Sequence, residues 1–259
     1  MNLFKVVGYD IRDFFTSWLT YLFLFLSAAP AVGIIIASKL VDNVSSNGYF
    51  IAYAFASFAI IFVVVSAVRV FSKDISEKTN VLFMNSKYNR SIYAIAKTVS
   101  MAVIGFIYGL ILVIILLIGK AFGADLLEPV TFLTPAAHEN VGHLLGEALL
   151  GYAVIATVFG TIYFFFSLFI RRSVFIFVIA VIFTLFYPIV ESLGSLAFSA
   201  LFKKDANIFL EFLQTYFPFS AATNGLSGIS ITNPQFLMLG IYFIVFFILT
   251  IIKIRKADY

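Results

Sequence analysis

The residues closest to a chemical motif are His138-Glu139-Asn140-Val141-Gly142-His143. Zinc-dependent hydrolases set two histidines four apart on a helix, so that both imidazoles share a face with a glutamate as general base. A spacing of five turns the second histidine by about 140° from the first, and the stretch therefore reads as a polar outer loop or helix cap. His143 and Glu147 stand four apart and can pair at the start of a helix without further consequence. No Gly-x-x-x-x-Gly-Lys-Ser/Thr occurs, so the chain has no phosphate-cradling loop of that kind and is not expected to hydrolyse ATP by itself. With no cysteine it has neither a thiolate metal ligand nor a disulfide. No catalytic, metal or cofactor-binding residue is expected on this chain.

The elements around these residues explain why. The chain is 62% hydrophobic and 12% charged, with a mean hydropathy of +1.06, whereas a soluble domain is about 45–50% apolar and about 25% charged. It is an integral membrane protein. The formal charge of +4 is not a nucleic-acid signal, because the bases cluster at the ends of apolar runs. The organising stretch is residues 70–97. Counting Arg69 just before it, it carries six bases against two acids, Asp74 and Glu77, with long apolar runs on both sides. A basic connection between spans faces the cytoplasm.

Taken in order, residues 1–14 place Phe4, Val7, Ile11 and Phe14 at helical spacing, with Lys5, Asp10, Arg12 and Asp13 between them. This pattern predicts an interfacial helix, polar on the face that carries the charges. The expected spans follow at 15–37, with Pro30 bending the helix, then 49–68, 99–118, 149–170, 173–190 and 234–252. Within 70–97, residues 76–86 can form a short helix with Glu77, Lys78 and Asn80 on one side and Val81, Leu82 and Met84 on the other. Gly105 and Gly109, four apart, permit another helix to approach closely, from within the chain or from a second copy. The spans are read as lacking buried Asp, Glu, Lys or Arg of the kind that ion-coupled pumps use as relays, so energy for any transport must come from another subunit. Residues 192–228 contain two helical patterns, 193–202 and 208–217, each too short to cross a bilayer. They are expected as re-entrant or protein-shielded outer helices, with Glu191, Lys203 and Lys204 at their edges.

The distribution of bases tests this topology. Thirteen lie on the expected cytoplasmic side, and four, Lys39, Lys120, Lys203 and Lys204, lie outside. The expectation is an all-α membrane protein with six spans and both termini cytoplasmic, forming one permease-like domain over residues 1–259.

With those features in place, the pattern resembles the ABC-2 family of ATP-driven transporter permeases. The family's first cytoplasmic loop is similar to the run Phe71, Asp74, Glu77, Thr79, Leu82, Arg90, Tyr93 and Lys97. The usual Gly before the Thr is Lys78 here, and the Pro common before the Arg is absent. Within the family, size and aromatic richness are most similar to the permeases of phenol-soluble modulin exporters. The resemblance implies a bacterial cell-membrane permease paired with a second permease, identical or homologous. It implies two cytoplasmic ABC ATPase subunits that carry ATP and Mg, touching the interfacial helix and part of the 70–97 loop. It also implies outward export of amphipathic peptides or lipid-like substrates past the outer helices. The competing classes are an accessory or scaffold membrane protein not coupled to ATP, and a membrane enzyme.

Overall fold

A computed structural model describes residues 3–41, 47–76, 87–127, 140–170, 172–202, 206–217 and 232–256, which are helical apart from short turns and one isolated bridge. Among the described residues eight helices run in chain order: α1 (Leu3–Thr16), α2 (Trp18–Leu40), α3 (Gly48–Ser76), α4 (Lys87–Ala121), α5 (Val141–Ser167), α6 (Ser173–Phe202), α7 (Ala206–Tyr216) and α8 (Asn233–Lys256). Five of them, α2, α3, α4, α5 and α8, are long and apolar enough to cross a membrane. The count becomes six if α6 is one span, because α6 bends by 49° between Tyr187 and Ile189, at Pro188. A proline inside a helix removes a donor and crowds the preceding turn. The chain is thus a multi-pass, all-α membrane protein.

Helices α3 and α5 form the centre: in the most apolar stretch of each, 61% is buried within the chain, against 22% in α2 and 17% in α8. The peripheral helices therefore present apolar side chains outward along most of their length, as lipid-facing helices do. Pro30 does not interrupt α2. Trp18 and Tyr21 are exposed at its start, where aromatic residues mark the headgroup level.

The tightest packing joins α4 to α5. A Cβ on Gly105 would overlap the Tyr152 carbonyl oxygen and stand 2.7 Å from the Ala156 Cβ, and a Cβ on Gly109 would overlap the Leu149 carbonyl oxygen. The glycine pair thus serves contact within the chain. On the side away from the basic end, Asn47 and Asp125 form a parallel bridge that ties the start of α3 to the end of α4. Asn47 Oδ1 also accepts from the Phe50 N–H at 2.8 Å, an N-terminal cap. Asn140 caps α5 in the same way, and His143 and Glu147 do pair there, at 3.6 Å; His138 and Glu139 lie outside the described residues.

Three expectations change. The second and third spans do not stop at 68 and start at 99: α3 continues to Ser76 and α4 begins at Lys87, so both helices carry the basic stretch well beyond the apolar runs. The pattern at 193–202 is not a separate helix but the part of α6 beyond its bend. It packs on α7 through Phe198 stacked on Phe209 at 5.2 Å, while Tyr187, just before the bend, stacks on Phe217, the residue after α7, at 5.9 Å. The face of α1 is also rotated from the expected one. Val6, Asp10 and Phe14 are buried, while Phe4 is 81% exposed.

The α4–α5 contact predicts a clear order among glycine variants. Gly105→Val and Gly109→Val should each destabilise the detergent-solubilised protein by about 1–3 kcal/mol or more, since added methyls in a packed seam force the backbones apart. Gly33→Ala on α2, with nothing within 4 Å of its added Cβ, should be neutral or slightly stabilising in the same thermal unfolding series.

Candidate functional site

At the basic end of the bundle, α1, α3 and α4 meet around one ammonium group. Lys97, nearly three turns into α4 and within the stretch that the sequence pattern reads as a loop, is buried, with its side chain 1% exposed. Its Nζ lies 2.7 Å from Asp10 Oδ1 on α1, 2.7 Å from Asp74 Oδ2 on α3 and 2.9 Å from the Val70 carbonyl oxygen. The ammonium donates to Asp10 and to the Val70 carbonyl and forms an ion pair with Asp74. Each carboxylate receives a second donor: Ser100 Oγ donates to Asp10 Oδ2 at 2.7 Å, and Tyr93 Oη donates to Asp74 Oδ2 at 2.7 Å. Aromatic rings seal the group from the interior side. Phe71 stacks on Phe164 at 5.0 Å, Tyr93 meets Phe164 edge-on at 6.1 Å, and Lys97 Nζ lies 5.3 Å from the Tyr93 ring centre.

A buried ion pair is tolerable only when its desolvation is offset by close geometry and additional hydrogen bonds. Here both carboxylates and the ammonium meet that condition. Two acids against one base still leave the triad with a net charge of −1. The compensating +1 lies beside it, where Arg69 and Lys73 both pair with Asp13, Arg69 Nη2 at 3.5 Å. Arg69 Nη1 also donates to Ser17 Oγ at 2.6 Å, which ties α3 to the joint between α1 and α2. A narrow crevice of about 20 Å³ runs between the two groups, lined by Asp10, Asp13, Arg69, Lys73 and Asp74 among others. Burial pushes the Asp10 carboxyl above its ordinary value of 3.8; the attraction of Lys97 and the Ser100 hydrogen bond work against that shift without cancelling it.

Of the residues expected to form the loop site, Phe71, Asp74, Tyr93 and Lys97 are brought together here. Arg90 is not. Its Nη1 donates to the carbonyl oxygens of Ile254 and Arg255, both at 3.3 Å, at the end of α8, where helical carbonyls lack partners. Glu77, Thr79 and Leu82, and the short helix expected over 76–86 apart from Ser76, lie outside the described residues, as do Lys203 and Lys204. Glu191 sits on α6 just past the bend, half-buried. The reading that the membrane helices lack buried ionisable groups is corrected: Lys97 belongs to an apolar helix and is buried with two acids. The missing members are Asp10, Asp13, Arg69, Lys73 and Ser100. Asp10 carries a signal in the sequence, an acid at helical spacing between the apolar Val6 and Phe14, which the pattern of charges alone places on the polar face. Among the described residues no three His, Cys, Asp or Glu side chains gather in a way that could hold a metal ion.

No protein-family model matches the chain, and no curated protein is significantly similar to it.

The triad predicts unequal costs for its members. Lys97→Met leaves two carboxylates buried without a counter-charge and should destabilise by about 3–5 kcal/mol. Asp10→Asn keeps a one-to-one Lys97–Asp74 pair and should cost less than half as much; equal losses in unfolding assays would contradict the charge accounting. The pH dependence has a definite sign. Because the native Asp10 value lies above 3.8, protonation favours the folded state. The stability Asp10 contributes is full below 3.8 and is lost as pH rises through its native value. That segment of the pH profile should disappear in Asp10→Asn.

Proposed function

We propose that the chain is the membrane-spanning permease subunit of an ATP-driven exporter of the ABC-2 type, working with a second permease and two separate ATPase subunits at the cytoplasmic face. The observation that carries this reading is the Lys97 triad, which joins α1 to the protruding ends of α3 and α4. A surface helix pinned by buried charge to two membrane helices is suited to receive movement from a partner and pass it into the bundle. An isolated short helix in water would be marginal, because nucleation is costly. Here α3 and α4 supply the support. On this reading both termini are cytoplasmic, ATP and Mg are held by the partner subunits, and the α6–α7 pair lies near the exit. The exported species is an amphipathic peptide or lipid-like molecule, in keeping with the aromatic and apolar surfaces of α6 and α8.

Two measurements test it. The tagged chain, extracted mildly from its native membrane, should co-purify with a nucleotide-binding ATPase, and reconstituted complexes should move amphipathic peptide only with ATP. Recovery of the chain without any ATPase would favour the accessory-protein reading. For topology, cysteines placed at Lys87 and Ala257 should resist an impermeant thiol reagent on intact cells, and one at Asn43 should react. The native chain contains no cysteine, so the protein contributes no background. Labelling at Lys87 without permeabilisation would invert the orientation.

A further inference from the structure

Helix α1 carries two acids and two bases, and the fold separates them. Asp10 and Asp13 turn inward, where Lys97 pairs with the first and Arg69 and Lys73 pair with the second. Lys5 and Arg12 stay exposed. A helix that is neutral by sequence therefore presents a cationic outer surface. Its apolar residues divide as well: Val6 and Phe14 are buried on the same side as Asp10, whereas Phe4 and Phe15 are exposed. At 3.6 residues per turn, Phe4 and Phe15 lie about 130° to one side of the buried line through Asp10, and Lys5 and Arg12 lie about 150° to the other. The outward half of α1 thus carries two strips about 80° apart, one of rings and one of bases.

The level of α1 follows from its neighbours. Its end is tied at Ser17 to Arg69, beside Trp18, the exposed aromatic that opens α2 and marks the headgroup level. Nearer its start, the Tyr9 ring centre lies 5.8 Å from Lys73 Nζ. From Tyr9 to Ser17 the chain advances about 12 Å at helical rise, yet Lys73 and Arg69 are one turn, about 6 Å, apart on α3. Helix α1 therefore crosses α3 obliquely and stays close to the headgroup level. The ring strip also continues into a lipid-facing surface. The Tyr21 hydroxyl donates to the Phe15 carbonyl oxygen at 2.8 Å, and Trp18, Tyr21 and Leu22 of α2 are exposed. A helix with rings on one flank and bases on the other suits the boundary between acyl chains and headgroups, and bases at that depth draw anionic phospholipids. An acidic protein surface would satisfy Lys5 and Arg12 but leave the ring strip in water.

We infer that the outward face of α1 binds anionic phospholipid, with the phosphates at Lys5 and Arg12 and the acyl chains along Phe4 and Phe15. This surface requires neither transport activity nor an ATPase. Because Asp10 on the opposite side is held by Lys97, the lipids grip from outside the same helix that the buried triad grips from inside. The composition of the leaflet then sets how firmly α1 is seated.

The test uses the full chain in nanodiscs, with a fluorophore attached through Gly8→Cys. Gly8 lies between the two strips, an added Cβ there meets nothing within 4 Å, and the native chain has no cysteine. Quenching by phosphatidylglycerol spin-labelled on its acyl chain is compared with quenching by phosphatidylcholine labelled in the same way. Phosphatidylglycerol should be favoured at the label, and Lys5→Gln and Arg12→Gln should each lower that preference about fivefold. The double variant should show no preference. It should also melt alike in the two lipids, whereas the wild type melts higher in phosphatidylglycerol. Changing the exposed Lys253 and Lys256 at the end of α8 to Gln should leave the preference intact. Equal quenching by both lipids in the wild type, a preference that survives the double variant, or the same loss in the α8 variant would each overturn the inference. So would the absence of quenching by either lipid, the outcome for a face turned to water and an acidic protein partner.

Discussion

Removing three charges from water at one point is the constraint from which the rest of the basic end follows. The Lys97 ammonium can lie at 1% exposure only because Asp10, Asp74 and the Val70 carbonyl surround it. The two acids in turn need Ser100 and Tyr93 as donors. Withdrawing the ammonium would leave both carboxylates buried without a counter-charge, and such a loss costs more than the intact pair contributes. The arrangement therefore acts as a specificity device: it selects one position of α1 against the bundle, where apolar contacts alone would tolerate several.

The same constraint explains why α3 and α4 remain helical beyond their apolar runs. Asp74 and Lys97 meet only if both helices persist toward the connection between them. Tyr93, one turn before Lys97, then reaches back to Asp74 while its ring packs on Phe164. Polar and aromatic contacts thus support one another across α3, α4 and α5. Among the described residues the neighbouring Asp13 group balances the charge, three acids against three bases.

Away from this end the structure depends on shape. The α4–α5 seam relies on backbone approach at Gly105 and Gly109, and small residues serve this purpose because lipid offers no hydrophobic drive for helix association. The outer helices α2 and α8 keep large apolar faces for the bilayer, and Arg90 together with the bases of the last turn satisfies the end of α8. The bend in α6 turns its second half onto α7, where ring stacking replaces the contacts that a straight span would make.

The sequence by itself determined the environment, the class and the rough order of elements, because long apolar runs, clustered bases and prolines act locally and are read without knowing the fold. The glycine pair, the His143–Glu147 pairing and the helical start of the chain were legible for the same reason. Four members of the candidate site, Phe71, Asp74, Tyr93 and Lys97, were also legible as a linear pattern, though their convergence was not. Only the tertiary structure decided that Asp10 turns inward, that Lys97 is buried among acids 87 and 23 positions away in the chain, and that Arg90 belongs to α8. A helical wheel assigns a charged residue to the polar side by default. What reverses that assignment is a counter-charge on another helix, and rotation about a helix axis is settled by such distant partners, which no local pattern of residues encodes.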